Sequence, residues 1–380
     1  MTANLRRAAG SLLVVGLSGT EMTGLERAWM RVVQPGGVIL FRRNIADSEQ
    51  TRALLAETTG LCAGHAFRCV DVEGGTVDRL RDALAPMPSA QAVDKAMRST
   101  GNLTLPREHG ELIALGVKAF GFNVTLAPVL DLALPESAGV MGTRATGATA
   151  EETTAFARAF FLGLADHGIA GCGKHFPGLG GGNLDSHAET PQIRRKWEDL
   201  WREDLAPYRA LRDEMPMVMV NHASYPLTPS KHLPATASPF WISKVLRKKV
   251  GYRGFIFSDD MEMGGILKFM PIEQAAVAAI RAGMNTMEIC HSPELILRAY
   301  EALMHEAENS ATFRWVLLQR ARDAARRRER MFAAGVPEAL TPKEFETLRG
   351  RILRFGERIA KLAGAGSART DADRPVVETA

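Results

Sequence analysis

The chain has 380 residues, of which 46% are hydrophobic and 24% are charged, and its formal net charge is +4. These fractions argue against a disordered, collagen-like or coiled-coil chain. The small net charge gives no general attraction to nucleic acid or to anionic membranes, so we expect neither as a partner. The four cysteines, Cys62, Cys69, Cys172 and Cys290, form no CxxC pair, which favours reduced and mostly buried thiols.

The first apolar run follows Arg6 and Arg7 and is superficially similar to a signal peptide. It is short and interrupted, and no small-residue cleavage site follows it cleanly, so we interpret it as a buried strand. No apolar run approaches the roughly 20 residues that span a bilayer. We therefore expect a cytoplasmic protein without membrane contact.

Short apolar runs without period-two alternation predict eight strands that are buried on both faces. These runs are Ser11–Leu17, Gly37–Phe41, Phe67–Val70, Val124–Val129, Ile169–Gly173, Met217–Val220, Gly254–Phe257 and Asn285–Ile289. Between them we predict amphipathic helices, one opened by the capping-box pair Thr149 and Glu152, two others by Pro271 and Pro293. The alternation predicts an α/β fold, a (β/α)8 TIM barrel with extra C-terminal helices. A doubly wound parallel sheet is the alternative, because it has the same local pattern.

Two more helices are predicted after the eighth unit, over Trp315–Phe332 and Pro342–Leu362. We place the barrel at residues 1–335, a helical extension at 336–363 and a disordered tail at 364–380. The basic run RDAARRRER at 322–330 is interpreted as a solvated helix face and not as a nucleic-acid site.

Polar residues stand at the C-terminal ends of five successive predicted strands, which is the end of a TIM barrel that carries the chemistry. They are Asp71, Glu73, Asp78 and Arg79 after strand three, Asp131 after strand four, Lys174 and His175 after strand five, Asn221 and His222 after strand six, and Asp259 and Asp260 after strand seven. This recurrence predicts an active site at the barrel mouth.

A loop with glycines at 178, 180, 181 and 182 follows strand five, and Asp185 and His187 stand at its far end. Such a loop can move over a bound substrate. A carboxylate beside an imidazole orients it and stabilises its charged form, which suits a general acid/base. An isolated Asp-x-His also occurs in surface turns. A glycine-rich loop can also hold phosphate, but neither GKS/T nor GxGxxG follows.

The motifs DVEGG, APVLD, KHFPG, DSH and FSDDMEM, taken together in this order and spacing, resemble those of glycoside hydrolase family 3 over residues 36 to about 289. Within the family, the single-domain bacterial β-N-acetylglucosaminidases of peptidoglycan recycling are most similar. The resemblance implies a retaining exo-β-N-acetylglucosaminidase that acts on peptidoglycan fragments through a covalent glycosyl-enzyme. It also implies that Asp259 is the nucleophile, that His187 is the acid/base and that Asp185 is the charge partner of His187.

The resemblance further implies a set of sugar-binding residues: Asp71, Arg79, Arg144, Lys174 and His175. Arg79 has an alternative role as an ion-pair partner of Glu73 or Asp78. Asp259 is preferred over Asp260 by the register of the motif, because adjacent side chains at a strand end point in opposite directions. The resemblance implies an aglycone with a lactyl carboxylate, which would repel a carboxylate catalyst but not a histidine acid.

Three places depart from the family pattern. Strand six reads VNHAS where a Thr-Ala-His-like sequence is commoner. Leu179 stands where the family usually has histidine, which weakens any assumption about how the loop packs or closes more than it weakens the chemistry. Glu288 stands in strand eight where an apolar residue is expected, either as a further carboxylate at the mouth or as a salt-bridge partner.

Several functional alternatives stay open. The same dyad serves β-glycoside phosphorylases and β-glucosidases of the family. Whether water or phosphate attacks the intermediate is therefore open, as is whether the sugar carries an acetamido or a hydroxyl group at its 2-position. A metal-dependent hydrolase using His175, His187 and His222 lacks the usual His-x-His after strand one. A non-catalytic sugar-binding relative is disfavoured because Asp259, Asp185 and His187 occur together. We expect no metal or organic cofactor, no strand end with a three-ligand metal site, and a monomer that binds a small carbohydrate such as a muropeptide.

Overall fold

Eight parallel strands form a closed barrel in the computed structural model, which describes residues 2–182 and 190–364. The strands are β1 (Leu13–Val15), β2 (Gly37–Leu40), β3 (Phe67–Val70), β4 (Val124–Thr125), β5 (Ala170–Phe176), β6 (Met217–Val220), β7 (Phe255–Asp260) and β8 (Thr286–Ile289). Each strand pairs with the next along the chain, and β8 closes the barrel on β1 through the register Val14 with Glu288. The prediction of a TIM barrel is confirmed, and the doubly wound sheet is excluded by the closure.

Helices follow most strands and surround the barrel. They are α1 (Thr2–Gly10), α2 (Gly24–Val33), α3 (Ser48–Thr59), α4 (Ala90–Thr100), α5 (Thr104–Ala119), α6 (Ala138–Met141), α7 (Ala150–Ala165), α8 (Trp197–Arg202), α9 (Ala206–Ala210), α10 (Gly264–Leu267), α11 (Ile272–Ala282), α12 (Pro293–Asn309), α13 (Ala311–Met331) and α14 (Pro342–Ala363). Short 3-10 turns occur at Arg42–Asn44, Pro135–Ser137 and Ala235–Ala237, and a π-helix spans Phe240–Val250. A two-stranded hairpin, Val72–Gly74 with Val77–Asp78, follows β3.

The sequence signals for helix starts are confirmed. Thr149 and Glu152 form the predicted capping box, in which each side chain accepts a hydrogen bond from the backbone N–H of the other. Helices α11 and α12 begin directly after Pro271 and at Pro293. Helix α1 is not predicted by the sequence analysis, although Leu5, Ala8 and Ala9 have helical spacing and are buried.

The core is one continuous apolar cluster that joins the barrel interior to the surrounding helices. All residues of β1 to β6 and β8 are buried, as their apolar runs predict. All four cysteines are free; Cys62 is partly buried and the other three are buried, as expected. Among the helices of the described residues, none combines the length and apolar character needed to cross a membrane.

The C-terminal helices extend the barrel wall. Helix α14 contacts α4 and α5 and buries Ile352, Phe355 and Ile359. The division of the chain at 335 and 363 stays a prediction, and residues 365–380 of the predicted tail lie outside the described residues.

Arg328 on α13 contradicts part of the prediction that the basic run is a solvated face. Its side chain is 1% exposed and donates to the backbone carbonyl oxygens of Ser11 (2.7 Å) and Ala63 (3.0 Å). A Cβ atom at Gly36 would lie 2.5 Å from the Arg328 guanidinium, so only glycine fits there. Burial lowers the pKa of Arg328 to about 10. Charge patterning along the sequence cannot show that carbonyl groups from distant segments satisfy this arginine.

Candidate active site

Four charged side chains from three segments form a buried network at the barrel mouth. The Lys174 ammonium at the end of β5 lies 2.8 Å from Asp71 Oδ1 and 2.6 Å from Glu73 Oε1. The Arg144 guanidinium, in the loop before α7, makes two hydrogen bonds of 2.8 Å to the two oxygens of Glu73. Two cations face two carboxylates, so the network is neutral when all four are ionised.

The pKa shifts of Glu73 and Lys174 favour the ionised form of both groups. Burial alone would raise the pKa of Glu73, but the positive charges of Arg144 and Lys174 hold it well below its usual range. Burial opposes the charged form of Lys174, but the carboxylates of Asp71 and Glu73 raise its pKa. The sequence places Glu73 at the end of strand three and offers Arg79 as its partner, whereas the structure pairs it with Arg144 and Lys174.

His175 is oriented by Asp131, which ends the segment after β4. The Asp131 carboxylate oxygen Oδ2 lies 2.6 Å from His175 Nδ1 and accepts the His175 backbone N–H at 3.1 Å. The other oxygen of Asp131 accepts the backbone N–H of Leu179 at 2.6 Å. The opposite ring nitrogen, Nε2, lies 3.4 Å from the Arg144 guanidinium. Asp131 therefore fixes the ring so that Nε2 points toward Arg144.

Asp259 lies at the end of β7 among groups that favour its ionised form. The backbone N–H of Asp260 donates to its Oδ1 at 2.9 Å. Burial raises the pKa of Asp259, but the imidazoles of His175 and His222, this N–H and the Lys174 ammonium lower it below its ordinary value. A carboxylate in these surroundings is charged at neutral pH and can act as a base or a nucleophile.

His222 supports the backbone of β7. Its Nε2 lies 2.9 Å from the carbonyl oxygen of Asp260, so Nε2 carries the proton and donates. Its Nδ1 lies 2.8 Å from the Thr236 hydroxyl. Burial lowers the pKa of His222, which favours the neutral ring.

Asp260 is turned toward different partners than Asp259. Its Oδ1 accepts the backbone N–H of Glu262 at 3.0 Å, and its Oδ2 lies 3.6 Å from His291 Nδ1. The two adjacent carboxylates therefore occupy separate surroundings, as expected for neighbouring residues of a strand.

Glu288 is a buried carboxyl group at the end of β8, with 2% of its surface exposed. The Cys290 thiol donates to its Oε1 at 3.4 Å, and its Oε2 has no hydrogen-bond partner among the described residues. Burial and the nearby carboxylates of Asp71, Asp260 and Asp259 raise its pKa well above the ordinary value. Of the two roles that the sequence leaves open, a salt bridge is not found within residues 2–182 and 190–364.

Arg79 lies in the hairpin region after β3, with its guanidinium carbon 5.6 Å from the centre of the Phe41 ring. Asp78, one of its alternative partners, accepts hydrogen bonds from two backbone N–H groups at 3.1 and 2.9 Å. The other, Glu73, is bound by Arg144 and Lys174.

The beginning of the glycine-rich loop is packed against the barrel. Leu179 contacts the apolar cluster of Val129, Met141 and Ala145, which gives its side chain a place that a histidine would fill less well. A Cβ atom at Gly180 would lie 2.7 Å from the Leu132 carbonyl oxygen, so the loop needs glycine there. The predicted dyad, Asp185 and His187, lies outside the described residues.

The structure also assembles residues that the sequence analysis does not connect. Glu262 lies in the motif after β7 and His291 follows β8, and their side chains meet with 3.0 Å between Oε2 and Nδ1. Asp260 and Cys290 lie beside them. The signal available in the sequence is the position of all four residues just after two neighbouring strands.

Comparisons with known proteins agree with this arrangement. The glycosyl hydrolase family 3 N-terminal domain matches residues 4–325. A β-hexosaminidase of Methylococcus capsulatus is 36% identical over 78% of this chain and 88% of its own, and one of Idiomarina loihiensis is 34% identical over 73% and 83%.

Solved structures show the same architecture. A family 3 β-N-acetylglucosaminidase of a Paenibacillus species has a TM-score of 0.81 and 30% identity, covering 92% of this chain and 68% of its own. NagZ of Neisseria gonorrhoeae has a TM-score of 0.74 and 27% identity, covering 93% of this chain and 98% of its own. From the barrel, the charged mouth and these matches, we conclude that the chain belongs to glycosyl hydrolase family 3 and is a glycoside hydrolase.

Proposed function

We propose that this chain is a retaining exo-β-N-acetylglucosaminidase that releases terminal N-acetylglucosamine from peptidoglycan fragments. The similarity to β-hexosaminidases over most of both chains and the likeness to NagZ support the sugar that is released. The peptidoglycan origin of the substrate rests on the motifs described in the sequence analysis. The observation that carries the mechanism is the position of Asp259 at the end of β7, where the Asp260 backbone N–H donates to its carboxylate and the nearby His175, His222 and Lys174 side chains lower its pKa.

Asp259 is the proposed nucleophile. Its carboxylate oxygen attacks the anomeric carbon while the bond from that carbon to the leaving-group oxygen breaks, which gives a covalent glycosyl-enzyme. The lowered pKa keeps this carboxylate charged at neutral pH. Asp260 is less suited, because burial raises its pKa and its oxygens face Glu262 and His291.

The acid/base role is proposed for His187, with Asp185 as its partner, on the sequence motif alone. In the first step His187 gives its proton to the leaving-group oxygen. In the second step it takes a proton from water, whose oxygen attacks the anomeric carbon and releases Asp259. The configuration at the anomeric carbon is inverted twice and so retained.

The charged network is the proposed binding surface for the sugar. Lys174 occupies one oxygen of Asp71, so the other oxygen can accept hydrogen bonds from ring hydroxyls. The Arg144 side chain is 19% exposed and lies 3.4 Å from His175 Nε2, so both groups can form hydrogen bonds with the same sugar. Because each of these groups has a charged partner on the protein, the site is preorganised before the sugar binds.

The nucleophile is tested by a matched pair of variants, Asp259→Asn and Asp260→Asn. We expect Asp259→Asn to fold normally and to lose nearly all turnover of nitrophenyl β-N-acetylglucosaminide, and Asp260→Asn to keep far more. A slow 2-fluoro glycoside should label Asp259 in the native protein, as located by peptide mass spectrometry. Labelling of Asp260 instead would overturn the assignment.

Substrate and acceptor are tested with two comparisons. Nitrophenyl β-N-acetylglucosaminide should be hydrolysed faster than the corresponding β-glucoside, and a reversed preference would identify a β-glucosidase. Turnover should not depend on added phosphate. Phosphate-dependent formation of a sugar 1-phosphate would identify a phosphorylase with the same nucleophile.

A further inference from the structure

The ends of β7 and β8 bring together three different metal-binding side chains. One ligand atom each of Asp260, Cys290 and His291 lies within 4.8 Å of the other two. Carboxylate, thiolate and imidazole together are the ligand types that Zn²⁺ and similar transition-metal ions accept. No close spacing of a metal motif marks this cluster in the sequence, because Asp260 ends one strand whereas Cys290 and His291 follow another.

We propose that the cluster of Asp260, Cys290 and His291 is a binding site for a divalent transition-metal ion of the zinc class. The three proposed ligands do not include the proposed nucleophile Asp259. Nothing in the proposed hydrolysis requires it, so the inference does not rest on the proposed function.

The geometry of the cluster suits a small tetrahedral site. In an occupied zinc site, bond lengths of about 2.0–2.3 Å put neighbouring ligand atoms roughly 3.3–3.7 Å apart. Asp260 Oδ2 and His291 Nδ1 already lie 3.6 Å apart. No pair of ligand atoms in the cluster is more than 4.8 Å apart, so the widest separation has to shrink by at most about 1.5 Å. The ring of Phe41 lies 5.2 Å from that of His291 and limits how far the imidazole can turn away.

A second observation points to a ligand at this place. The Glu288 side chain is 2% exposed, its Oε1 accepts a hydrogen bond from the Cys290 thiol, and its Oε2 has no partner among the described residues. An unpaired buried carboxyl oxygen is costly. A cation held by Cys290 would lie near this carboxyl group, because Glu288 Oε1 is 3.4 Å from the Cys290 sulfur, and would reduce that cost.

Glu262 adds a further carboxylate beside the cluster, with its Oε2 3.0 Å from His291 Nδ1. A metal ion is bound by a thiolate and by a neutral imidazole, so Cys290 loses its proton on binding and any proton on the coordinating nitrogen of His291 is released. Metal binding at this cluster therefore releases protons to the solvent.

The test uses cobalt(II) as a spectroscopic probe on the full chain after treatment with a chelator. A thiolate ligand gives a near-ultraviolet sulfur-to-cobalt charge-transfer band, and tetrahedral coordination gives intense visible bands. We expect both in the native protein, and we expect added Zn²⁺ to displace them. A native protein that gives neither band overturns the proposal.

Variants locate the ion. Cys290→Ser should abolish the charge-transfer band, and His291→Gln, a change at a partly exposed residue, should weaken cobalt binding by more than about 10-fold, since even the loss of an outer partner of a ligand costs that much. Cys62→Ser, which changes a partly buried thiol outside the cluster, should leave the spectrum unchanged. Circular dichroism confirms that each variant is folded.

Asp259→Asn separates this site from metal binding at the proposed nucleophile. We expect this variant to keep the full cobalt spectrum while it loses turnover. A spectrum that disappears in Asp259→Asn and persists in both His291→Gln and Cys290→Ser would overturn the proposal. If Cys290→Ser does not fold, His291→Gln and Asp259→Asn still decide the question.

Discussion

Glu73 should be essential for the stability of the barrel mouth, although no peptide motif marks it as the partner of Arg144 and Lys174. Its two carboxylate oxygens accept three donors, two from Arg144 at 2.8 Å and one from Lys174 at 2.6 Å. In Glu73→Gln the amide keeps one acceptor oxygen, and its NH2 group faces donors that it cannot bind. Loss of one member of a buried ion pair costs about 3–5 kcal/mol, so we expect a decrease of that size in the free energy of unfolding at neutral pH.

The pH dependence of this effect has a defined sign. The folded pKa of Glu73 lies well below its ordinary value of 4.5, so its stabilising contribution is fully present above about pH 4.5 and is lost as the pH falls toward the folded value. The difference between native protein and Glu73→Gln should therefore be largest near neutral pH and shrink in acid.

Urea unfolding, followed by tryptophan fluorescence, measures this difference in the free energy of unfolding at neutral pH and again in acid. Asp166→Asn is the matched control, because Asp166 forms a 2.8 Å ion pair with Arg107 in which both side chains are about half exposed. Such a pair contributes about 0–1 kcal/mol. The reasoning is refuted if Glu73→Gln destabilises no more than Asp166→Asn at neutral pH, or if its effect does not diminish in acid.

Three further predictions concern other parts of the molecule. Arg328→Met should lower the free energy of unfolding by about 1–3 kcal/mol for each carbonyl oxygen left without its donor, whereas Arg326→Met, an exposed change on the same helix, should have almost no effect in the same urea titration. His291→Gln should lower the free energy of unfolding of the metal-free protein at pH values below 6.5, the ordinary imidazole pKa, and this effect should disappear as the pH rises through about 9. An equal decrease in the free energy of unfolding below pH 6.5 and above pH 9 would contradict the ion pair of His291 with Asp260 and Glu262. His187→Ala should reduce the turnover of substrates with poor leaving groups by about 10²–10⁴-fold more than the turnover of activated aryl glycosides. Azide should partly restore the turnover of the activated aryl glycosides. Equal losses of turnover on both substrate classes would mean that His187 is structural.

The eight strands could be predicted because burial on both faces leaves a local signal, an apolar run without alternation. The prediction for β5 ended at Gly173, whereas the strand continues to Phe176. Lys174 and His175 interrupt the apolar run, and the residues that pair with them are far away in the sequence. Asp71, for example, lies 103 residues before Lys174.

The sequence predicts which residues lie at the candidate site, but it does not predict which of them form ion pairs or hydrogen bonds with one another. Position at a strand end selected Asp71, Lys174, His175 and Asp259, because the fold brings strand ends together. The partners of these residues depend on loop geometry. The loop before α7, for example, brings Arg144 into an ion pair with Glu73. The roles assigned to Asp185 and His187 rest on the motif and await the experiments above.

The contacts of Arg328 have a consequence for how the protein is made. Its guanidinium binds carbonyl groups that precede it by 317 and 265 residues, and β1 pairs with β8, the last strand. A ribosome synthesises the early segments first, so their binding partners do not exist until most of the chain has emerged. The edges of β1 and its neighbours therefore stay open until β8 has emerged, and an open edge can pair with another chain. The barrel can close around its own first strand only after nearly 290 residues have left the ribosome.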